Sequence, residues 1–299
     1  MNRRLQLSTI FLLSIPPVMW ASNAVIGRVI RDLVPPMTLN FSRWLLAFLV
    51  LLPLAYRVLR PDSLMWHHWR RFALLGLVSM GAYNSLQYQA LHTSTPMNVT
   101  LVGSSAPVLT LALGWLLYGE KISRRQMLGA VLSIGGVLMV MSRGDAEVLI
   151  QMRLVPGDLY VLLAAAAFAY YSWMLAKPTE PQSIRQDWSA FLMAQIAFGL
   201  LWSGLFAVGE WTLTTTRVVW SWPVAVAMLY IALGPALLAY RAWGAGIGRA
   251  GPAVASFFSN LTPLFAAVMS SAFLGEIPRM YHVLAFAMIV GGIVVSSRR

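Results

Sequence analysis

Ten long apolar stretches, separated by short polar connections, run the length of this chain. An α-helix needs about 20 mostly apolar residues to cross the hydrocarbon core of a bilayer. The stretches that meet this requirement are Ser8–Ile30, Met37–Val58, Trp69–Ala90, Met97–Tyr118, Arg125–Ser142, Gly157–Ala176, Gln186–Val208, Trp222–Gly244, Ala253–Leu274 and Met280–Ser297. The pattern predicts an all-α membrane protein of ten transmembrane helices. Only the connection Arg143–Pro156 is long and polar, and it falls at mid-chain. It divides the protein into a first five-helix repeat (1–143), a linker (144–156) and a second five-helix repeat (157–299), together one integrated domain.

The halves resemble each other at a fixed spacing. Pro96, Pro107, Gly119, Glu120, Gly135 and Gly136 recur without a gap as Pro252, Pro263, Gly275, Glu276, Gly291 and Gly292. These are helix-breaking and helix-ending residues, the ones that fix backbone geometry. A duplicated membrane bundle is the mark of a carrier whose halves face each other across a central site.

Charge sets the direction of the helices. With the N-terminus inside, the inner connections hold Arg3, Arg4, Arg57, Arg60, Arg70, Arg71, Lys121, Arg124, Arg125, Lys177, Arg185, Arg249, Arg298 and Arg299. The outer ones hold Arg28, Arg31, Arg143, Arg153, Arg217 and Arg279. The imbalance predicts cytoplasmic termini and a periplasmic linker. An odd number of helices per half then turns the second repeat upside down relative to the first, so a site between them can open to either side in turn. Arg3 and Arg4 before an apolar run imitate a secretory signal, but the run continues to Ile30 and many spans follow, which predicts a retained first helix.

Composition narrows the function. The chain is 59% hydrophobic and 11% charged, with a mean hydropathy of +0.69; soluble domains carry roughly a quarter charged residues. The net charge of +12 comes from bases at the ends of apolar runs, which points to membrane lipid as a partner and against nucleic acid. There is no cysteine, and His67, His68, His92 and His282 are scattered, so no cofactor or metal is expected. No nucleophile–base set is evident, and an enzyme is not expected. The expected partner is a small-molecule substrate, and the assembly a monomer or weak dimer.

The ten helices as five plus five, Trp20-Ala21-Ser22-Asn23 in helix one, Arg43 opening helix two and the paired Pro…Gly-Glu…Gly-Gly blocks together resemble the drug/metabolite transporter superfamily, EamA-type members in particular. Within it the chain is most similar to the YddG-type exporters of aromatic and apolar amino acids. The resemblance implies export from the cytoplasm across a bacterial inner membrane. The alternative it leaves is a multidrug carrier or a carrier of another metabolite, such as a nucleotide sugar or lipid-linked compound.

Polar and aromatic residues inside the spans mark the candidate site, because such groups are costly in lipid unless they face a cavity. Trp20 and Asn23, the cluster Tyr83, Asn84, Gln87 and Tyr88, then Tyr171 and Trp173, Tyr240 and Trp243, and Asn260 are the expected substrate-binding residues. Pro107 and Pro263 are expected to bend their helices near mid-membrane, freeing the carbonyls of Gly103 and Ser259 and serving as hinges. All ten acidic residues fall in connections or at helix ends, which argues against a permanently cationic substrate and against strict proton coupling. Glu120 and Glu276 are expected to cap helices or pair with bases. Arg43 and Arg241 leave two readings open: snorkelling to the headgroups, or holding a substrate carboxylate. Gly129, Gly135, Gly136, Gly291 and Gly292 read as helix-packing residues.

Overall fold

The computed structural model describes residues 6–90, 93–94, 96–151, 155–215, 217–274 and 280–297. Gly275, Glu276, His92, Arg3, Arg4, Arg153, Arg279, Arg298 and Arg299 lie outside the described residues, as does the side chain of Tyr88. Everything regular among the described residues is helical. The main helices are α1 (Leu7–Ile30), α2 (Pro36–Ala55), α3 (Trp69–Gly76), α4 (Tyr83–Ala90), α5 (Pro96–Gly103), α6 (Ala106–Tyr118), α7 (Arg124–Met141), α8 (Pro156–Ala176), α9 (Trp188–Leu213), α10 (Trp222–Ile231), α11 (Ala239–Ala250), α12 (Pro252–Ser259), α13 (Leu261–Leu274) and α14 (Met280–Ser297). Seven stretches among the described residues are long and apolar enough to cross a membrane.

The three expected spans missing from that set each have a reason. The amides and phenols of α4 lower the apolarity of the third. The fifth opens on Arg124, Arg125 and Gln126, with Ser123 and Gln126 forming a reciprocal capping box. The fourth is broken outright: α5 stops at Gly103, and Ser104 and Ser105 form a turn before α6 resumes. Pro107 occupies the first turn of α6, where its missing N–H costs nothing. The second repeat breaks at the matching place, with α12 ending at Ser259, a turn at the single residue Asn260 and Pro263 in the first turn of α13. There, however, the stretch Pro252–Met269 remains long and apolar enough to be one of the seven. A bend at each proline was expected; the backbone instead interrupts just before it. The linker also differs, holding a short helix over Ala146–Ile150.

Two π-helical segments extend the repeat beyond what the sequence displays. Leu77–Ala82 joins α3 to α4, and Ala232–Leu238, containing Pro235, joins α10 to α11. Ser104 and Asn260 are 156 residues apart. The same shift carries 77–82 onto 233–238, inside the second π segment. Shifted likewise, α7 overlies α14, and the two pack antiparallel: Gly129 lies beside Gly292 and Ser296, and Gly136 beside Ala285 and Ile289.

Contacts between connections sort the bundle into two ends. At one, Arg71 reaches Glu180 at 3.1 Å and the Lys177 carbonyl at 3.1 Å, and Lys177 reaches Glu120 at 2.9 Å. At the opposite end Glu210 accepts from the Met37 and Thr38 amides at 3.0 and 2.8 Å, Val219 N–H donates to Leu33 O at 2.8 Å, and Asp158 accepts from Ser94 Oγ. We refer to the first as the basic end. The core between them is apolar, with Trp44, Phe72, Tyr171, Trp243, Phe257 and Phe258 almost wholly buried.

Candidate functional site

Mid-bundle, seven aromatic rings pack into one cluster around Phe168. Its ring centroid lies 5.4 Å from Trp20, 4.7 Å from Tyr83, 5.6 Å from Tyr171, 6.4 Å from Tyr240 and 5.4 Å from Trp243. Trp20 and Trp243 are 5.4 Å apart, and Trp44 meets Tyr240 edge-on at 5.0 Å. Trp20, Trp44 and Tyr83 come from the first half; Phe168, Tyr171, Tyr240 and Trp243 come from the second. Such ring pairs add about 0.5–1.5 kcal/mol each beyond area burial.

The π segment explains how polar groups are tolerated here. In a π turn the regular i to i−4 ladder is disturbed and carbonyls become free for other donors. Tyr240 Oη donates to Ser79 O at 2.9 Å, and Asn40 Nδ2 donates to Met80 O at 3.1 Å. Asn84 Nδ2 also donates to Met80 O, at 3.3 Å, while its Oδ1 accepts from Arg43 Nη2 at 3.2 Å. Elsewhere in the cluster Tyr171 Oη donates to Gln195 Oε1 at 3.0 Å and Trp243 Nε1 donates to Ser172 Oγ at 3.1 Å. Tyr171, Tyr240 and Trp243 are thereby fixed by their polar tips as well as by their faces.

Of the residues expected from sequence, Trp20, Tyr83, Tyr171, Tyr240 and Trp243 meet in this cluster, and Asn84 joins it through the π segment. Asn23 and Gln87 are half-buried on α1 and α4. Trp173 is elsewhere: it stacks on Tyr118 at 5.3 Å and donates to Thr110 O at 2.7 Å. Asn260 is also elsewhere, donating to Ser133 Oγ at 2.9 Å and to Ser104 O at 3.4 Å, as a strut between the two helix breaks. Gly103 and Ser259 are the last helical residues before those breaks. Phe168, Trp44, Asn40 and Gln195 take part in this cluster or its hydrogen bonds and are not singled out by the sequence. Arg241 is exposed, its guanidinium 4.1 Å from the Trp188 ring, whereas Arg43 is buried.

A cavity of about 950 Å³ opens at the basic end. Its walls include Glu120, Lys121, Arg124, Arg125 and Lys177, residues 250–254 where α11 meets α12, and Trp173. Trp173 is on α8, the helix that carries Phe168 and Tyr171 deeper in the bundle. Four bases against one acid give the cavity a positive field that attracts anions. Beside it Arg71 and Arg185 both bind the buried Glu180. Burial alone would raise the Glu180 pKa, but its own amide, the Arg71 charge, the Thr179 amide and the Arg185 hydrogen bond together hold it below the ordinary value.

The chain belongs to the EamA-like transporter family, whose model matches it twice, over 7–142 and 155–298. It is thus a multi-pass integral membrane protein and a membrane transporter. It is 24% identical to an uncharacterized transporter of Bacillus subtilis (strain 168), covering 76% of this chain and 72% of that one. It is 25% identical to a probable amino-acid metabolite efflux pump of Salmonella typhimurium, over 96% of this chain and 93% of the relative. A probable terminal-alkyne amino-acid exporter of Streptantibioticus cattleyicolor is 25% identical, over 94% and 91%. A crystal structure 19% identical in sequence shares the fold, with a TM-score of 0.74 over 96% of both chains.

Proposed function

We propose that this chain exports small amphipathic metabolites, aromatic and apolar amino acids above all, across a bacterial inner membrane. It works by alternating access between two inverted five-helix repeats, 1–143 and 157–299, joined by the linker 144–156. Ten transmembrane helices place both termini in the cytoplasm, with the basic end inside and the Glu210 end outside. The observation that carries this reading is the aromatic cluster, built by both halves at mid-bundle, with hydrogen-bonding tips at its edge. Such a surface suits an apolar side chain attached to a polar head. The antiparallel packing of α7 on α14 and the sorting of bases to one end support the inverted arrangement. Two relatives named for amino-acid export support the substrate class.

The helix breaks at Ser104–Ser105 and Asn260, each followed by a proline, are the proposed hinges. Movement there would part α5 from α6 and α12 from α13, and let the cavity at the basic end reach the rings. Purified protein in liposomes tests the reading through counterflow of labelled L-phenylalanine, L-leucine and L-serine. Protein-dependent exchange of the first two, exceeding that of serine, is the expected result. Absence of exchange for all three in correctly inserted protein would reject amino acids as the substrate class.

A further inference from the structure

Among the described residues, four buried side-chain polar atoms have no hydrogen-bond partner: Asn40 Oδ1, Arg43 Nε, Trp44 Nε1 and Ser85 Oγ. They belong to two helices in contact, α2 and α4. Three of them stand at positions i, i+3 and i+4 of α2, and so share one face. Interiors leave few such atoms, and each asks for an explanation.

Arg43 is the costly one. It is 4% exposed, and a guanidinium stays protonated at any pH a cell experiences, so burial cannot neutralise it. Its contacts are the single hydrogen bond to Asn84 and the Trp44 ring at 4.9 Å. Among the described residues no carboxylate lies within ion-pair distance of it. Glu210, at the nearer end of α2, already accepts from the Met37 and Thr38 amides and from Thr38 Oγ1. A buried cation balanced only by a neutral amide and a ring face is unfavourable inside a membrane bundle, and an apolar side chain of similar size would pack there better. The missing anion has to arrive with something that binds.

We infer that Arg43 receives the carboxylate of the transported molecule, with Ser85 Oγ and Trp44 Nε1 supplying further donors. The inference rests on the export function proposed above and narrows its substrate to amphipathic carboxylates. Tyr240 makes the site continuous, since its ring is 5.0 Å from Trp44 on the polar side and 6.4 Å from Phe168 on the apolar side. The acid group then points to α2 and the apolar group to the Phe168 rings. The basic cavity would gather the same anions at the entrance.

The test uses three probes that share a phenyl ring: L-phenylalanine, 3-phenylpropionate, which lacks the ammonium, and phenethylamine, which lacks the carboxylate. Equilibrium binding to purified full-length protein should favour both acids over the amine by at least about tenfold. Arg43→Gln should weaken both acids by a similar factor and leave the amine unchanged, while Arg43→Lys keeps the preference in weaker form. Equal weakening of all three probes, or an amine that binds wild type as well as the acids do, would overturn the inference. A second measurement needs no ligand. Ligand-free Arg43→Met should melt at the wild-type temperature or above, because it removes an unpaired buried charge; a clear fall, or failure to fold, makes Arg43 structural and also overturns the inference. If wild type binds none of the probes, the amino-acid reading fails and the melting comparison alone decides the role of Arg43.

Discussion

Gly129 and Gly292 meet backbone to backbone: a Cβ added to either would lie 2.7 Å from the carbonyl oxygen of the other. The contact is reciprocal in the terms of the repeat. Gly136 rests on Ala285 and Ile289, while its counterpart Gly292 rests on Gly129 and Ser133, the counterparts of those two residues. A local two-fold relation between α7 and α14 follows. Gly291, next in sequence, has nothing within 4 Å of an added Cβ. Gly292→Ala should therefore destabilise the protein by about 1–3 kcal/mol through overpacking. Gly291→Ala should be neutral, or stabilising by up to about 1 kcal/mol through helix propensity. Thermal melting in detergent compares them, and equal shifts would contradict the close approach.

The absence of cysteine makes topology directly measurable with single introduced cysteines. Ile150, in the linker, is 82% exposed, and Ile122 lines the basic end. Ile150→Cys should react with a membrane-impermeant maleimide in whole cells, and Ile122→Cys only after permeabilisation. The reverse pattern would invert the protein in the membrane. Equal reactivity of both would remove the crossing between them.

Phe168 touches five of the other six rings, so its removal should open the cluster. Phe168→Ala should weaken transport of phenylalanine relative to serine by about 1–3 kcal/mol, the apolar contact of one ring. Trp173→Phe, at the cavity wall, should leave that ratio unchanged. Competition between the two amino acids in liposomes reads the ratio directly. An identical change for both variants would detach the cluster from substrate selection.

Glu180 ties the end of α8 to α3 and to Arg185, and its pKa is held below the ordinary carboxylate value. A carboxyl whose folded pKa is depressed contributes stability above its unfolded pKa, and loses it as pH falls through the folded value. Wild type should therefore lose melting temperature below about pH 4 more steeply than Glu180→Gln does. At neutral pH Glu180→Gln should cost about 1–3 kcal/mol, since both arginines retain some exposure to water. Parallel melting curves across that range would show that the clasp does not report on Glu180.

The helices were legible because backbone in lipid must satisfy its own hydrogen bonds, leaving long apolar runs one outcome. The breaks were located only approximately, since Pro107 and Pro263 are as well suited to starting a helix as to bending one. The π segment Leu77–Ala82 has no compositional marker, and its position became meaningful only beside its counterpart in α10–α11. Phe168 follows four alanines and reads as packing, yet it stands three residues before Tyr171, on the same helical face. Trp173 is two residues after Tyr171, so a helix turns it away from the cluster. Asn40 and Gln195 are isolated amides in apolar runs, and nothing local distinguishes them from a polar residue facing a neighbouring helix.

The driving force can be argued from where the carboxylates are. Among the described residues, Asp158 and Glu180 are buried, but both lie at the ends of the bundle and both are hydrogen-bonded, to Ser94 and the Val155 amide in one case and to arginines in the other. Glu120 pairs with Lys177 and both are about half exposed. None of these sits beside the aromatic cluster, where a proton would have to exchange with substrate. Substrate should therefore equilibrate across liposomes without a proton gradient, with exchange and net flux both running downhill and moderate pH changes altering rates only weakly. The decisive measurement is accumulation above the external concentration, driven solely by a pH difference. If wild type accumulates substrate in this way, protons are coupled through a group away from the aromatic cluster. His92→Ala and Asp158→Asn then identify the carrier: histidine is the side chain type that ordinarily changes charge between about pH 5 and 8, and Asp158 is the buried acid at the end opposite the basic one. Loss of accumulation in one variant, with downhill exchange retained, would assign the coupling to that residue.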